Sequence, residues 1–294
     1  MNKLYLKKLN SLKVSKSPGP DNIHPRILYE LRNEIVQPLK MLFETSYKLN
    51  QLPADWKSGY ITAIFKKGNK SDPSNYRPIS LTSVICKIME SIIKDQIMEF
   101  FSNNNYFSNN QFGFIKGRST ALQLLCIMDE WTTLLDSGAQ VDVIYTDFAK
   151  AFDTVPHGRL LTKLKSYNIS DKLIAWIQDF LCNRIQSICV NGEFSTWFDV
   201  LSGIPQGSIL GPLLFLIYIN DLPDLCALQD INTKIYLYAD DAKIYKVINK
   251  MPDQFHLQAV VNLVKNWSDE WLLRLNIDKC KTVSYHLKNQ FDTQ

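Results

Sequence analysis

Residues 234–247, KIYLYADDAKIYKV, constrain the fold more than any other stretch of the chain. Two runs rich in Ile, Tyr and Val, residues that suit a pleated, half-buried surface, flank the adjacent carboxylates Asp240 and Asp241. The pattern predicts a β-hairpin with both acids at its turn. An Asp-Asp pair suits turn chemistry by itself. The alternative is that both acids point toward a solvent-filled cleft, where a divalent cation relieves their repulsion. A third acid bears on the choice. VDVIYTD, residues 141–147, alternates as a strand and ends in Asp147, and laid beside the hairpin it would bring three carboxylates together. Hard oxygen ligands suit Mg²⁺, and two ions about 3.5–4 Å apart stabilise attacking and leaving oxygens in phosphoryl transfer. The acids therefore favour a nucleotidyl-transfer site.

The surrounding pattern supplies a scaffold. ISLTSVICKIMESIIKDQIMEFF spaces Leu81, Val84, Ile85, Ile88, Met89, Ile92, Ile93 and Ile97 as one helix face. A second helix is expected from Thr120, capped through Gln123 and ending near Gly138, and two more between residues 158 and 182. Asn191-Gly192 lies between β-type residues and predicts a hairpin turn with positive φ at both positions. A helix follows in LLFLIYINDLP with Pro212 in its first turn, and another carries Leu257, Val260, Val261, Val264, Trp267 and Trp271 on one face before a final strand in DKCKTVSYHL. From residue 141 onward this is compatible with a ferredoxin-like β-α-β-β-α-β sheet carrying an insertion, with helices on one face.

At 294 residues, 46% hydrophobic and 12% aromatic, the chain can bury a sizeable core, which excludes a disordered tail. Its net charge of +4 is uneven: residues 1–80 hold 14 Lys/Arg against 6 Asp/Glu, leaving 19 against 23 for the remainder. A basic N-terminal region suits a polyanionic partner, or a solvated basic face. The six cysteines show no C-x-x-C pair and are read as reduced thiols, mostly packing residues. The apolar stretch Ile209–Ile219 is short and interrupted by Gly211 and Pro212, so no membrane partner is expected. An intracellular location, nuclear or cytoplasmic, is the default.

The ordered segments SPGPDNIHPRIL, NYRPISLTSVICKIMESII, QFGFIKGRST, YTDFAKAFDTV, SGIPQGSILGPLLFLIYINDLP, YADD and LNIDKCK resemble the reverse transcriptase of non-LTR retrotransposons, especially the jockey-like LINE group. The resemblance runs from about Ser17 to about Tyr285. It implies an α/β (α+β) right-hand polymerase, with helical fingers and part of the palm scaffold in residues 1–140, a ferredoxin-like palm in 141–290 and a tail at 291–294. It also implies two Mg²⁺ ions, an RNA template, a DNA primer and dNTPs, with Asp147, Asp240 and Asp241 as catalytic metal ligands. Phe152 matches the bulky residue that excludes a 2′-hydroxyl, though an ordinary core Phe has the same appearance. Gln206 and Gly207, with Gly203, match the loop against the nascent base pair; Arg77, with Lys66 or Lys67, matches the triphosphate contacts. Lys279 matches a lysine that either protonates or neutralises departing pyrophosphate, and Gly113, Lys116 and Gly117 match a template-contact signature. Asp153 reads as a helix-start acid.

Relative to that family, the chain opens just before the first polymerase motif and ends soon after Lys279, so endonuclease and thumb are expected to be absent. The rival expectation is an inactive element remnant that at most binds RNA. An RNA-dependent RNA polymerase would need room for a 2′-hydroxyl beside Phe152.

Overall fold

The computed structural model describes residues 2–287, and the expected tail at 291–294 lies outside them. In chain order its first elements are α1 (Asn2–Asn10), α2 (Pro25–Glu30), α3 (Arg32–Leu49), β1 (Ser58–Phe65), β2 (Tyr76–Thr82), α4 (Val84–Asn103), α5 (Thr120–Asp136) and β3 (Gln140–Thr146). Next come α6 (Ala151–Thr154), α7 (His157–Ser166), α8 (Asp171–Leu181), β4 (Arg184–Val190), β5 (Glu193–Phe194) and β6 (Phe198–Val200). The last are α9 (Gly211–Ile219), α10 (Leu222–Gln229), β7 (Lys234–Tyr238), β8 (Asp241–Ile248), α11 (Met251–Glu270) and β9 (Lys281–Tyr285).

The chain forms two compact units, each from two segments. One comprises residues up to Phe100 with His157–Leu214; the other comprises Phe101–Pro156 with residues from Phe215 onward. The division interleaves rather than following one boundary at residue 140, because β3 pairs with strands that lie beyond the 157–214 insertion.

The second unit contains a four-stranded antiparallel sheet in the order β7-β8-β3-β9. Counting β3 as the first strand, this is the order of the expected ferredoxin-like sheet. Both of its faces are covered, against the expectation of helices on one. On one face Ile127 and Trp131 of α5 pack against Val141, Val143 and Tyr245. On the other, Trp267 of α11 meets Phe148, just past β3. The reason lies in the strands: β8 buries Ala242, Ile244 and Ile248 at one parity and Tyr245 at the other, so either face left bare would expose apolar surface.

The first unit holds a second sheet, β2-β1-β4-β5, with β6 also on β4. Its β1–β4 pairing is parallel and its β1–β2 pairing antiparallel. These strands correct the expectation that the N-terminal region is helical, and Leu81 belongs to β2, opposite Tyr60, rather than to α4. β2 contains Pro78, which cannot donate to a ladder, and is tolerated because β2 lies at the sheet edge. The Asn191-Gly192 turn forms as expected, with φ of 53° and 88°.

Two helix ends differ from expectation. Ser119, not Thr120, caps α5, its hydroxyl accepting from Leu122 N–H at 3.2 Å, while Gln123 is buried and accepts from Lys243. The expected final strand starts only at Lys281; Ile277–Lys279 form a 3₁₀ turn. Gly211–Gln229 is long and apolar enough to cross a membrane by length and composition, unlike the shorter stretch visible in sequence, but 67% of it is buried in the protein. It is also broken at Asn220–Asp221 between α9 and α10, and the apolar side chains of α9, buried from Leu213 to Ile219, suit a core helix.

An ion pair with its lysine buried and its carboxylate partly buried ties the hairpin to the chain entering it. Lys246 Nζ lies 2.6 Å from Asp230 Oδ2, with side chains 4% and 14% exposed. Burial pushes the Asp230 carboxyl up, but hydrogen bonds from Lys246, Thr233 and Asn232 outweigh it and hold its pKa below the usual carboxylate value. The pair's contribution to stability is therefore present above the unfolded carboxyl pKa and is lost as pH falls through the folded one. Lys246→Met should cost about 1–2 kcal/mol in urea unfolding at neutral pH, because it leaves a partly buried carboxylate without its cation while Thr233 and Asn232 still donate to it. A loss of only a few tenths would show that the pair contributes little.

Candidate active site

The ladders of the second unit bring the three expected acids to one end of its sheet. Thr146, immediately before Asp147, pairs with Ala242, immediately after Asp241, and Asp241 in turn pairs with Tyr238. Asp240 occupies the two-residue turn between β7 and β8. Asp147 and Asp240 are partly exposed and Asp241 is exposed. The Asp147 backbone is also clamped: its carbonyl accepts from Asn276 N–H at 2.7 Å, and Ala149 N–H donates to Arg274 at 2.8 Å. This link explains LNIDKCK, because it carries Lys279 to Asp147, where Nζ lies 2.8 Å from Oδ2.

The donor set has the chemistry for Mg²⁺: partly solvated carboxylates at a strand end, one of them already pairing with a cationic side chain. Among the described residues, however, no three His, Cys, Asp or Glu side chains converge closely enough to form a ready ligand group. The backbone brings these acids together, while the Asp147 carboxylate is paired with Lys279.

The turn itself is strained. Ala239 has φ of +55°, in a region where a Cβ costs about 1–2 kcal/mol. It is held there by Gln111, which is missing from the residues expected by sequence. Gln111 Oε1 accepts from Ala239 N–H at 2.9 Å and Gly113 N–H at 2.7 Å, and Nε2 donates to the Ala239 carbonyl at 3.3 Å. Gly113 packs so tightly here that an added Cβ would lie 2.4 Å from Ala239 N. Its place is thus against the acid-bearing turn. Lys116 and Gly117 are exposed in the loop before α5.

Phe152, on α6, is half-buried. Its ring stacks on Phe215 with centroids 4.5 Å apart and meets Phe114 edge-on at 6.5 Å. The contact with buried Phe215 accounts for the core-like reading, and the remaining exposure leaves a rigid aromatic surface. Asp153 lies in the first turn of the same short helix.

The other expected residues belong to the first unit. Gln206 and Gly207 sit in the 201–210 loop, which is fastened at three points. Ser80 N–H donates to the Gln206 carbonyl at 2.6 Å, His157 Nε2 lies 2.8 Å from the Gly203 carbonyl oxygen, and Glu90 Oε2 accepts from Ile209 and Leu210 N–H at 2.7 and 3.0 Å. Glu90 is fully buried. In sequence it is one polar residue on an amphipathic helix, and nothing in its spacing distinguishes it. Gly207 has φ of +117°, and a Cβ there would lie 2.5 Å from the Ser80 carbonyl oxygen.

Arg77 is exposed on β2 opposite Ile64, and the ladder continues to a Lys66 N–H bond with Asn75 at 2.8 Å. Two residues beyond Ile64, Lys66 falls on the face of Arg77, with Lys67 next along the same exposed loop.

Residues 64–291 match the model of the reverse transcriptase (RNA-dependent DNA polymerase) family. The chain is 29% identical over 279 residues to the RNA-directed DNA polymerase from mobile element jockey of Drosophila melanogaster, covering 93% of this chain and 30% of that protein. It is 28% identical over 282 residues to the jockey polymerase of Drosophila funebris, covering 94% and 31%. The chain thus spans about a third of the length of these relatives. Among solved structures, a Candida tropicalis telomerase in complex with a fragment of telomeric RNA superposes with a TM-score of 0.59 at 13% identity, covering 90% of this chain and 45% of that one. At that identity the likeness concerns the right-hand polymerase fold.

Substitution of Gly207 by Ala should lower the melting temperature by several degrees, because it adds a Cβ at positive φ against a carbonyl. Thermal unfolding followed by circular dichroism checks this; an unchanged melting temperature would mean the loop is not held as described.

Proposed function

Because the chain belongs to the reverse transcriptase family, we propose that it is an RNA-directed DNA polymerase core that transfers deoxynucleotides from dNTPs to a primer 3′-hydroxyl on an RNA template. The observation carrying this reading is the register that sets the backbone positions of Asp147, Asp240 and Asp241 at one end of the sheet, inside a chain matching the family over most of its length.

The bond formed joins the primer oxygen to the α-phosphorus, the bond broken is that from the α-phosphorus to the bridging oxygen of departing pyrophosphate, and the hydroxyl proton passes to solvent. Asp147, Asp240 and Asp241 would hold two Mg²⁺ ions, which supply Lewis-acid activation and charge neutralisation at the phosphate. Lys279, already paired with Asp147, supplies a mobile positive charge for pyrophosphate departure. Arg77, with Lys66 favoured over Lys67 by its place on the ladder, recognises the triphosphate as fixed and flexible cations respectively. Phe152, stiffened by Phe215, presents the ring that a ribose 2′-hydroxyl would meet. Gln206 and Gly207 bring backbone and amide to the nascent pair, and Lys116 and Gly117 with the basic N-terminal segment bind template phosphates, so affinity should fall as salt rises. We assign the palm to the unit bearing the acids and the fingers to the other.

Primer extension on oligo(dT)-primed poly(rA) tests the reading. The chain should incorporate dTTP with Mg²⁺, and Asp240→Asn should reduce the rate at least about 100-fold without altering the fold. No extension by a folded, RNA-binding chain would favour an inactive RNA-binding remnant instead. Phe152→Val should raise UTP use relative to dTTP by about 10-fold or more, and an unchanged ratio would remove the steric role of this ring.

A further inference from the structure

Gln111 has only 1% of its surface exposed, yet its side chain serves backbone groups of just two residues, Gly113 and Ala239. Both polar groups of Ala239 are engaged by this one amide, and Ala239 is the left-handed residue immediately before Asp240. The segment bearing Gln111 is itself docked. Phe112 N–H donates to the Leu237 carbonyl at 2.8 Å and Leu237 N–H to the Asn110 carbonyl at 2.8 Å, which places Gln111 opposite Leu237 as a parallel bridge. Arg118 Nη1 then holds the carbonyls of Ser108 and Gln111, each at 2.6 Å.

We propose that Gln111 is a positioning residue for nucleotidyl transfer: its side-chain amide, seated against Gly113, fixes the left-handed turn at Ala239 and so the direction in which Asp240 and Asp241 present their carboxylates. The proposal rests on the polymerase reading, in which those acids are the reactive ligands. The side-chain chemistry is specific. An acceptor is needed for two N–H groups and a donor for one carbonyl, which an amide supplies and neither a carboxylate nor an alkyl group does. A glutamate would also add negative charge beside two carboxylates. Small displacement is enough to matter, since misplacing a reacting group by about 1 Å costs on the order of 100-fold in rate.

The test compares Gln111→Leu, Gln111→Leu with Ala239→Gly, and Gly113→Ala in the full chain, by amide hydrogen exchange and steady-state primer extension. In Gln111→Leu, exchange at Ala239 should accelerate at least about 10-fold while the β3–β8 ladder amides stay protected. Its kcat should fall about 100-fold, with the KM for dTTP and the affinity for poly(rA) within about twofold of the parent. Adding Ala239→Gly, which reaches positive φ without strain, should recover a substantial part of kcat, a rescue that a role in general stability would not produce. Unchanged exchange at Ala239, or a kcat within about twofold of the parent in folded Gln111→Leu, overturns the proposal. If Gln111→Leu fails to fold, Gly113→Ala decides the matter by the same split of kcat from KM, and an unaffected kcat overturns it. If the parent chain extends no primer, the polymerase reading fails by itself, and exchange at Ala239 still decides whether Gln111 holds the turn.

Discussion

Seven residue pairs, from Gln140↔Ile248 to Thr146↔Ala242, lock β3 antiparallel to β8, and the second unit depends on that register. A slip of β3 by one residue against β8 would turn Val141 and Val143 away from α5 and present Asp142 to it instead, beside an unmoved Tyr245. The same slip would move Asp147 out of line with the turn carrying Asp240 and Asp241. Burial of ordinary apolar side chains thus sets the register, and the register sets the placement of the acids. Packing and chemistry share one constraint.

Around that frame, the chain spends its buried polar groups on fastening backbone. Gln111 grips the acid-bearing turn, and the Asn276 N–H fixes the Asp147 carbonyl. In the other unit, Glu90 and Ser80 fasten the loop bearing Gln206. Two of these fastenings hold a positive-φ residue, Ala239 beside Gln111 and Gly207 beside Ser80. Strain held in place by surrounding hydrogen bonds is common where a protein must present groups in one fixed direction. The exposed members of the set, Arg77, Lys66 and Lys116, lie open to solvent and suit a partner that arrives with its own phosphates.

Much of this was legible in sequence because it is local. The β7–β8 hairpin, the Asn191-Gly192 turn, β3 and α11 each announce themselves through periodicity or turn chemistry within about ten residues. The two strands β1 and β2 were missed, one of them because Pro78 and the following ISLT merge with the apolar spacing of α4. The two-sided covering of the sheet was also missed, although the apolar residues of both parities in β8 were its signal. Gln111 and Glu90 carried no local signal. Their partners lie 128 and about 120 residues away, so only the folded chain reveals what they hold. Lys279 was recognised through motif resemblance, whereas its contact with Asp147 depends on the bridge between Phe148 and Leu275.

The central claim is that Asp147, Asp240 and Asp241 act together as one divalent-cation site. It is tested most directly by titrating the chain with Mn²⁺ followed by electron paramagnetic resonance, with and without primer–template and a non-incorporable nucleotide, beside Asp147→Asn. The account predicts Mn²⁺ bound in the assembled complex of the parent chain and largely lost in the variant, despite equal folding and equal RNA affinity. Equal Mn²⁺ binding by parent and variant would show that the three carboxylates do not form the site.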